Sequence, residues 1–162
     1  MVFGSSRATG LLVDTNLLVL FAVGSVSRHR IQEFKRTRKY SADDYDLLVH
    51  IFERFDRRLY TVPHVLAEVS NLSDLSGPER LEARRKVRGL ISVLHELEMP
   101  SIRAAEDPLY EDLGLADAAI GAAARVHGFE VLTDDVQLFL LLSAQQVSAF
   151  HFTHLRERHW GV

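Results

Sequence analysis

The sequence predicts an α/β domain organised around a parallel β-sheet, and two observations carry the prediction. Short, mostly apolar runs occur at residues 10–13 (GLLV), 59–62 (LYTV) and 129–133 (FEVLT), with 147–152 (VSAFHF) as a fourth. Between them lie longer segments whose apolar residues recur at helical spacing. A strand hidden on both faces needs no polar alternation, and helices lying between such strands cover a parallel sheet on both sides.

The elements follow in order. The run at 10–13 leads straight into Asp14, with a helix starting at Thr15. Ser41 caps a second helix in which Tyr45, Leu48, Ile51, Phe52 and Phe55 share one face. Pro63 suits the first turn of a helix carrying Val65, Leu66, Val69 and Leu72. Gly77-Pro78 opens a longer helical stretch with Leu81, Val87, Leu90, Ile91, Leu94 and Leu97 among charges, and Pro100 ends it. Residues 115–126 form an Ala-rich helix that stops at His127-Gly128. A short helix follows over residues 135–142. With no internal repeat or linker, residues 1–162 read as a single α/β domain.

Composition excludes several chemistries. The chain has no cysteine, so disulfides, thiolate metal sites and cysteine nucleophiles are ruled out. Residues 1–16 lack a basic segment ahead of an apolar one and do not read as a signal peptide. The longest apolar runs, 17–23 and 136–142, fall well short of the roughly 20 residues that span a bilayer. The expectation is a cytoplasmic protein. The net charge of −3 is unevenly spread. Arg28, Arg30, Lys35, Arg36, Arg38 and Lys39 gather in one stretch, with Tyr40 beside them to stack a base, and form a candidate nucleic-acid-binding run. A second basic cluster at residues 84–88 alternates with Glu79 and Glu82 and reads as an exposed, ion-paired helix face.

Four acids stand at strand–helix boundaries or early in a helix after a strand: Asp14, Glu68, Asp117 and Asp135. In an open parallel sheet the carboxyl ends of the strands share one rim, where ligands bind. Topology alone therefore brings Asp14 and Asp135 together. Carboxylates crowded at such a rim repel one another until one protonates or a cation arrives, and a hard divalent ion such as Mg²⁺ or Mn²⁺ suits all-oxygen ligands. Taken singly, Asp14 and Asp117 serve equally well as helix caps, and Asp134 and Asp135 as a helix start. Glu68, set in the apolar stretch VLAEVSNL, is harder to explain structurally. The set carries the inference.

The series LLVDTN, PHVLAEVSNL, LGLADAAI and VLTDDVQLF resembles the PIN-domain nucleases in order, spacing and local setting. The resemblance implies a three-layer α/β/α fold with a central parallel sheet. It implies that Asp14, Glu68, Asp117 and Asp135 are catalytic metal-binding acids, and that Asn16 and Thr133 are accompanying polar positions. Asp134 occupies the variable place between Thr133 and Asp135, as a fifth acid of the site or a bystander. The separation of Asp14 from Glu68 is longer than in compact toxin-type members, and the surplus falls on the basic stretch.

The activity the resemblance implies is Mg²⁺- or Mn²⁺-dependent hydrolysis of RNA phosphodiester bonds, as in the toxin of a toxin–antitoxin pair. An antitoxin protein and homodimerisation are the partners it implies. The alternatives are an RNA-maturation nuclease or a catalytically silent PIN-like module that binds RNA or protein. Silent modules lose acids of the set, and this chain keeps all four. An aspartate-nucleophile phosphatase would want a second acid where Asn16 stands.

Overall fold

The computed structural model describes residues 10–161, with only the backbone of Trp160. The segment preceding Gly10, on which the signal-peptide expectation rests, lies outside the described residues. Five parallel strands form the sheet: β1 (Leu11–Val13), β2 (Leu59–Thr61), β3 (His95–Glu96), β4 (Glu130–Thr133) and β5 (Ala149–His151). Their order is β3-β2-β1-β4-β5. Leu11 pairs with Leu59 on one side and with Glu130 on the other. β1 and the inner residues of β4 are almost wholly buried, so helices cover both faces and the fold is a three-layer α/β/α one.

Among the described residues the helices are α1 (Thr15–Val26), α2 (Arg30–Glu33), α3 (Ala42–Phe55), α4 (Pro63–Leu72), α5 (Arg80–Val93), α6 (Ser101–Ala105), α7 (Tyr110–Leu113), α8 (Leu115–His127), α9 (Val136–Ala144) and α10 (Phe152–Trp160). Ser41 opens α3 with a full capping box. Its hydroxyl accepts from the Asp44 N–H at 3.1 Å, and Asp44 Oδ2 accepts from the Ser41 N–H at 2.8 Å. Pro63 occupies the first turn of α4, and Gly128 ends α8 in the left-handed region at φ 67°.

Four features depart from the sequence reading. The long stretch after Gly77-Pro78 is not one helix to Pro100. α5 ends at Val93, and His95–Glu96 becomes the edge strand, with Tyr60 pairing His95 and the Leu97 N–H reaching Thr61 O at 2.8 Å. On α5 the core stripe runs through Ala83, Val87 and Leu90, while Leu81 and Ile91 are exposed. Small α6 and α7 fill the passage to α8. The fourth run closes as a strand at His151, because Phe152 already begins α10.

The order of the strands decides where a site forms. From β1 the chain crosses to β2 and β3 on one side, then returns to β4 and β5 on the other. The reversal falls between β1 and β4, and a crevice opens there beyond the carboxyl ends of the strands. Asp14 and Asp134 are the residues that leave those two strands. Among the described residues no helix is long and apolar enough to cross a membrane.

Candidate active site

Asp14 leaves β1 at the switch point, buried at 3% exposure. Its Oδ1 accepts from the Leu17 N–H at 2.9 Å and so caps α1. Its Oδ2 accepts from the Asp134 N–H at 3.0 Å and from the Thr133 hydroxyl. Capping and site placement are one arrangement here, since the cap fixes where the carboxylate stands. Burial pushes the Asp14 carboxyl above the usual range, as does the neighbouring charge of Asp134, against the hydrogen bonds from Thr133, Leu17 and Asp134.

Thr133, fully buried at the end of β4, ties two acids together. Its hydroxyl donates to Asp14 and accepts from the Asp135 N–H at 2.9 Å. Asp135 caps α9 by accepting from the Leu138 N–H at 2.9 Å. The Thr-x-Asp spacing thus has a local cause. One hydroxyl holds the first-strand acid and bends the chain so that the second acid faces the same crevice.

Glu68 projects from α4 and is exposed; its Oε2 accepts from the Thr15 hydroxyl at 3.0 Å. Asp117 stands in the first turn of α8, which is capped at Gly114 with no side-chain hydrogen bond, so the capping role open to Asp117 in the sequence is not used. Burial raises the Asp117 carboxyl from 3.8 to about 7, reinforced by the charges of Asp135 and Glu68. Those two carboxylates are therefore close enough to act on it.

Asp14, Glu68, Asp117 and Asp135 line one cleft of about 90 Å³, with Thr15, Asn16 and Leu72 completing its wall. The space suits a few water molecules or a hydrated ion. Every charged donor is a carboxylate, which fits a hard divalent cation and disfavours zinc. Among the described residues no three acids or histidines stand close enough together to hold a metal ion between them as they are placed. Mg²⁺ needs none, since it takes one or two carboxylates and keeps waters.

Asp134 is absent from the cleft lining. Its carboxylate accepts from the Tyr40 hydroxyl, forms an ion pair with Lys39 Nζ at 2.5 Å, and accepts from Asn16 Nδ2 at 3.4 Å. Its carbonyl oxygen stands 3.2 Å from His151 Nε2 at the end of β5. Tyr40 is buried edge-on against Phe152, so it has no open face on which a base could stack; the expected stacking role is replaced by a structural one. Burial raises the Tyr40 phenol above its ordinary value, reinforced by Asp134, and keeps it a donor.

The basic run divides. Arg28 pairs with Asp46, Arg30 with Glu33 and Glu79, and Lys39 with Asp134. Lys35, Arg36 and Arg38 are the exposed cations without an ion pair among the described residues. His64 meets Ser101 Oγ at 2.9 Å. The sequence reading missed Thr15 and His151 as supporting groups. The Thr of Asp-Thr-Asn was the one available signal for Thr15; His151 had none.

An acid-lined crevice at the switch point of a five-stranded parallel sheet is a nuclease-like arrangement. The family model described as PIN domain matches residues 11–140, most of the chain, and the chain belongs to that family. PIN domains are generally nucleases and usually bind Mg²⁺ or Mn²⁺. No curated protein and no solved structure matches the chain.

Proposed function

We propose that the protein is an endoribonuclease that hydrolyses RNA phosphodiester bonds at this cleft, using Mg²⁺ or Mn²⁺. One observation carries the reading: four acids from four separate elements line one small cleft, at an electrostatic cost that folding alone does not require. Perturbed carboxyls gathered in a cleft are the mark of a functional site. Asp14, Glu68, Asp117 and Asp135 would hold the ion. When bound, it would lower the pKa of water and offset charge on the phosphate oxygens.

The residues divide the remaining work. Asp14 is fixed by three hydrogen bonds and sets the geometry. Asp135 is oriented through Thr133 and its own cap. Glu68, exposed and held by the Thr15 hydroxyl, is the acid best placed to accept a proton from attacking water. Asp134 acts as a positioning residue, its carboxylate already taken by Tyr40 and Lys39. The whole chain works as one PIN-like unit, in the setting of a toxin–antitoxin pair or of RNA maturation, with the long Asp14–Glu68 separation setting it apart from the compact toxin-type members.

Glu68→Gln is the clean test, because the side chain is exposed and the fold does not depend on its charge. Incubated with total cellular RNA and Mg²⁺ or Mn²⁺, the wild type is expected to cleave and the variant to lose about 10²–10³-fold, the equivalent of several kcal/mol of lost charge stabilisation. Cleavage in chelator, or full activity in Glu68→Gln, would overturn the mechanism. No cleavage of any RNA by the wild type would shift the reading to a silent binding module.

A further inference from the structure

The acidic cleft cannot itself attract a polyanion, so the affinity for RNA must come from cations within a strand's reach. Half of the run at residues 28–39 is consumed by ion pairs inside the chain. We propose that the groove between the C-terminal half of α4 and α5 is a phosphate-binding track that continues the cleft. The proposal rests on the nuclease reading and names where the strand beside the scissile bond lies.

The groove encloses about 440 Å³ and is walled by Ser70, Asn71 and Ser73 of α4 and its cap, and by Arg84 and Arg88 of α5. Leu72 lines the acidic cleft while its neighbours Asn71 and Ser73 line the groove, so one turn of α4 forms a wall of both. Arg84 and Arg88 are four residues apart and present on one helix face. Asp74 is the groove's acid, and both Arg80 at 3.6 Å and Arg84 at 3.4 Å lean on it. Arg88 has no ion pair among the described residues. The balance of the groove is positive.

A further observation points to a ligand. Ser73 is 2% exposed, it lines the groove, and its Oγ is buried without a hydrogen-bond partner. A native structure rarely leaves such a hydroxyl unmet. Together with the Asn71 amide and the two guanidinium groups, it makes a donor-rich lining suited to phosphate oxygens. Val87 and the exposed side of Ile91 add an apolar floor for a sugar or base. Residues 84–86 do form the ion-paired face expected from the sequence, Arg84 with Asp74 and Arg85 and Lys86 with Glu82, while Arg84 and Arg88 also line the groove.

The test measures binding of a fluorescent single-stranded RNA to the full chain in chelator, across a salt series, beside Mg²⁺-dependent cleavage by the same preparations. Each lost phosphate contact lowers the log–log salt slope by about 0.7. Arg84→Ala/Arg88→Ala is expected to lower it by about 1.4 and to weaken binding at low salt at least tenfold. The Arg84→Lys/Arg88→Lys pair is expected to keep the slope, and Arg85→Ala to leave it unchanged. Cleavage with an unaltered slope in the alanine pair would overturn the groove and leave the nuclease reading standing. A lowered slope in a protein that cleaves nothing would do the reverse. Displacement by an acidic peptide, with RNA ineffective, would assign the groove to a protein partner and overturn the proposal.

Discussion

Asp117→Asn is expected to slow RNA cleavage about 10²–10³-fold and, in the same preparation, to raise the melting temperature of the metal-free protein at pH 8. The carboxyl titrates near 3.8 in a free chain and near 7 in the folded protein, through burial first and then the charges of Asp135 and Glu68. Between those values the folded state holds a proton that the unfolded state has lost. Stability from this site therefore falls as pH rises from about 4 to about 7. Above 7 the full penalty applies, and below about 4 it vanishes, because both states are protonated.

An amide of the same shape carries no such penalty. Among the described residues the Asp117 carboxylate accepts no hydrogen bond, so the exchange strands no donor. The gain is a few kcal/mol at most, and each kcal/mol is worth about 2–4 °C in a chain of this size. The rise should be present at pH 8 and absent at pH 4. Activity should drop about 10²–10³-fold from the loss of one charged ligand. Equal melting temperatures at pH 8, or a variant that cleaves at the wild-type rate, would contradict this account.

The second large effect is expected at Tyr40. Its hydroxyl donates to the nearly buried Asp134 carboxylate, which also holds Lys39. Tyr40→Phe leaves a buried charge one donor short, and is expected to cost about 1.5–3 kcal/mol. In an Asp134→Asn background the same substitution should cost about 1 kcal/mol or less, since the group left behind is neutral. A thermal or urea double-mutant cycle measures the difference, and a coupling of about 1–2 kcal/mol is expected. Additive costs would mean that Tyr40 acts through packing against Phe152 alone. Because the Asp134 N–H supports Asp14, the Tyr40→Phe protein should also cleave RNA less well at temperatures where it is fully folded.

The parts of the site that were legible in the sequence are those with a local cause. Asp14 and Asp135 end or follow strands, and their neighbours Leu17, Leu138 and Thr133 fix them within a few residues. The capping box at Ser41 and the glycine stop at Gly128 are likewise short-range chemistry. What the sequence concealed depends on contacts across the fold. Thr15 meets Glu68 across 53 residues, and Tyr40 meets Asp134 across 94. Tyr40 looked available because it adjoins a basic run, while in the fold it is buried, edge-on to Phe152 at the start of α10, an element with no clear sequence signal. β3 is two exposed residues, too short to carry any alternation. Leu81 and Ile91 kept helical spacing yet lie outside the stripe that α5 turns inward. For Asp134 the sequence offered two roles, and the donors around it favour support of Asp14.

The four acids of the cleft are proposed to hold one divalent ion, one or two of them directly and the others through its waters. Titrating the metal-free protein with Mn²⁺, followed by the loss of the free-ion electron paramagnetic resonance signal, tests it without reference to any substrate. The wild type should bind Mn²⁺ saturably and with a rise in melting temperature, and Glu68→Gln and Asp117→Asn should each bind at least tenfold more weakly. Undiminished Mn²⁺ binding in both variants, or none in the wild type, would contradict it.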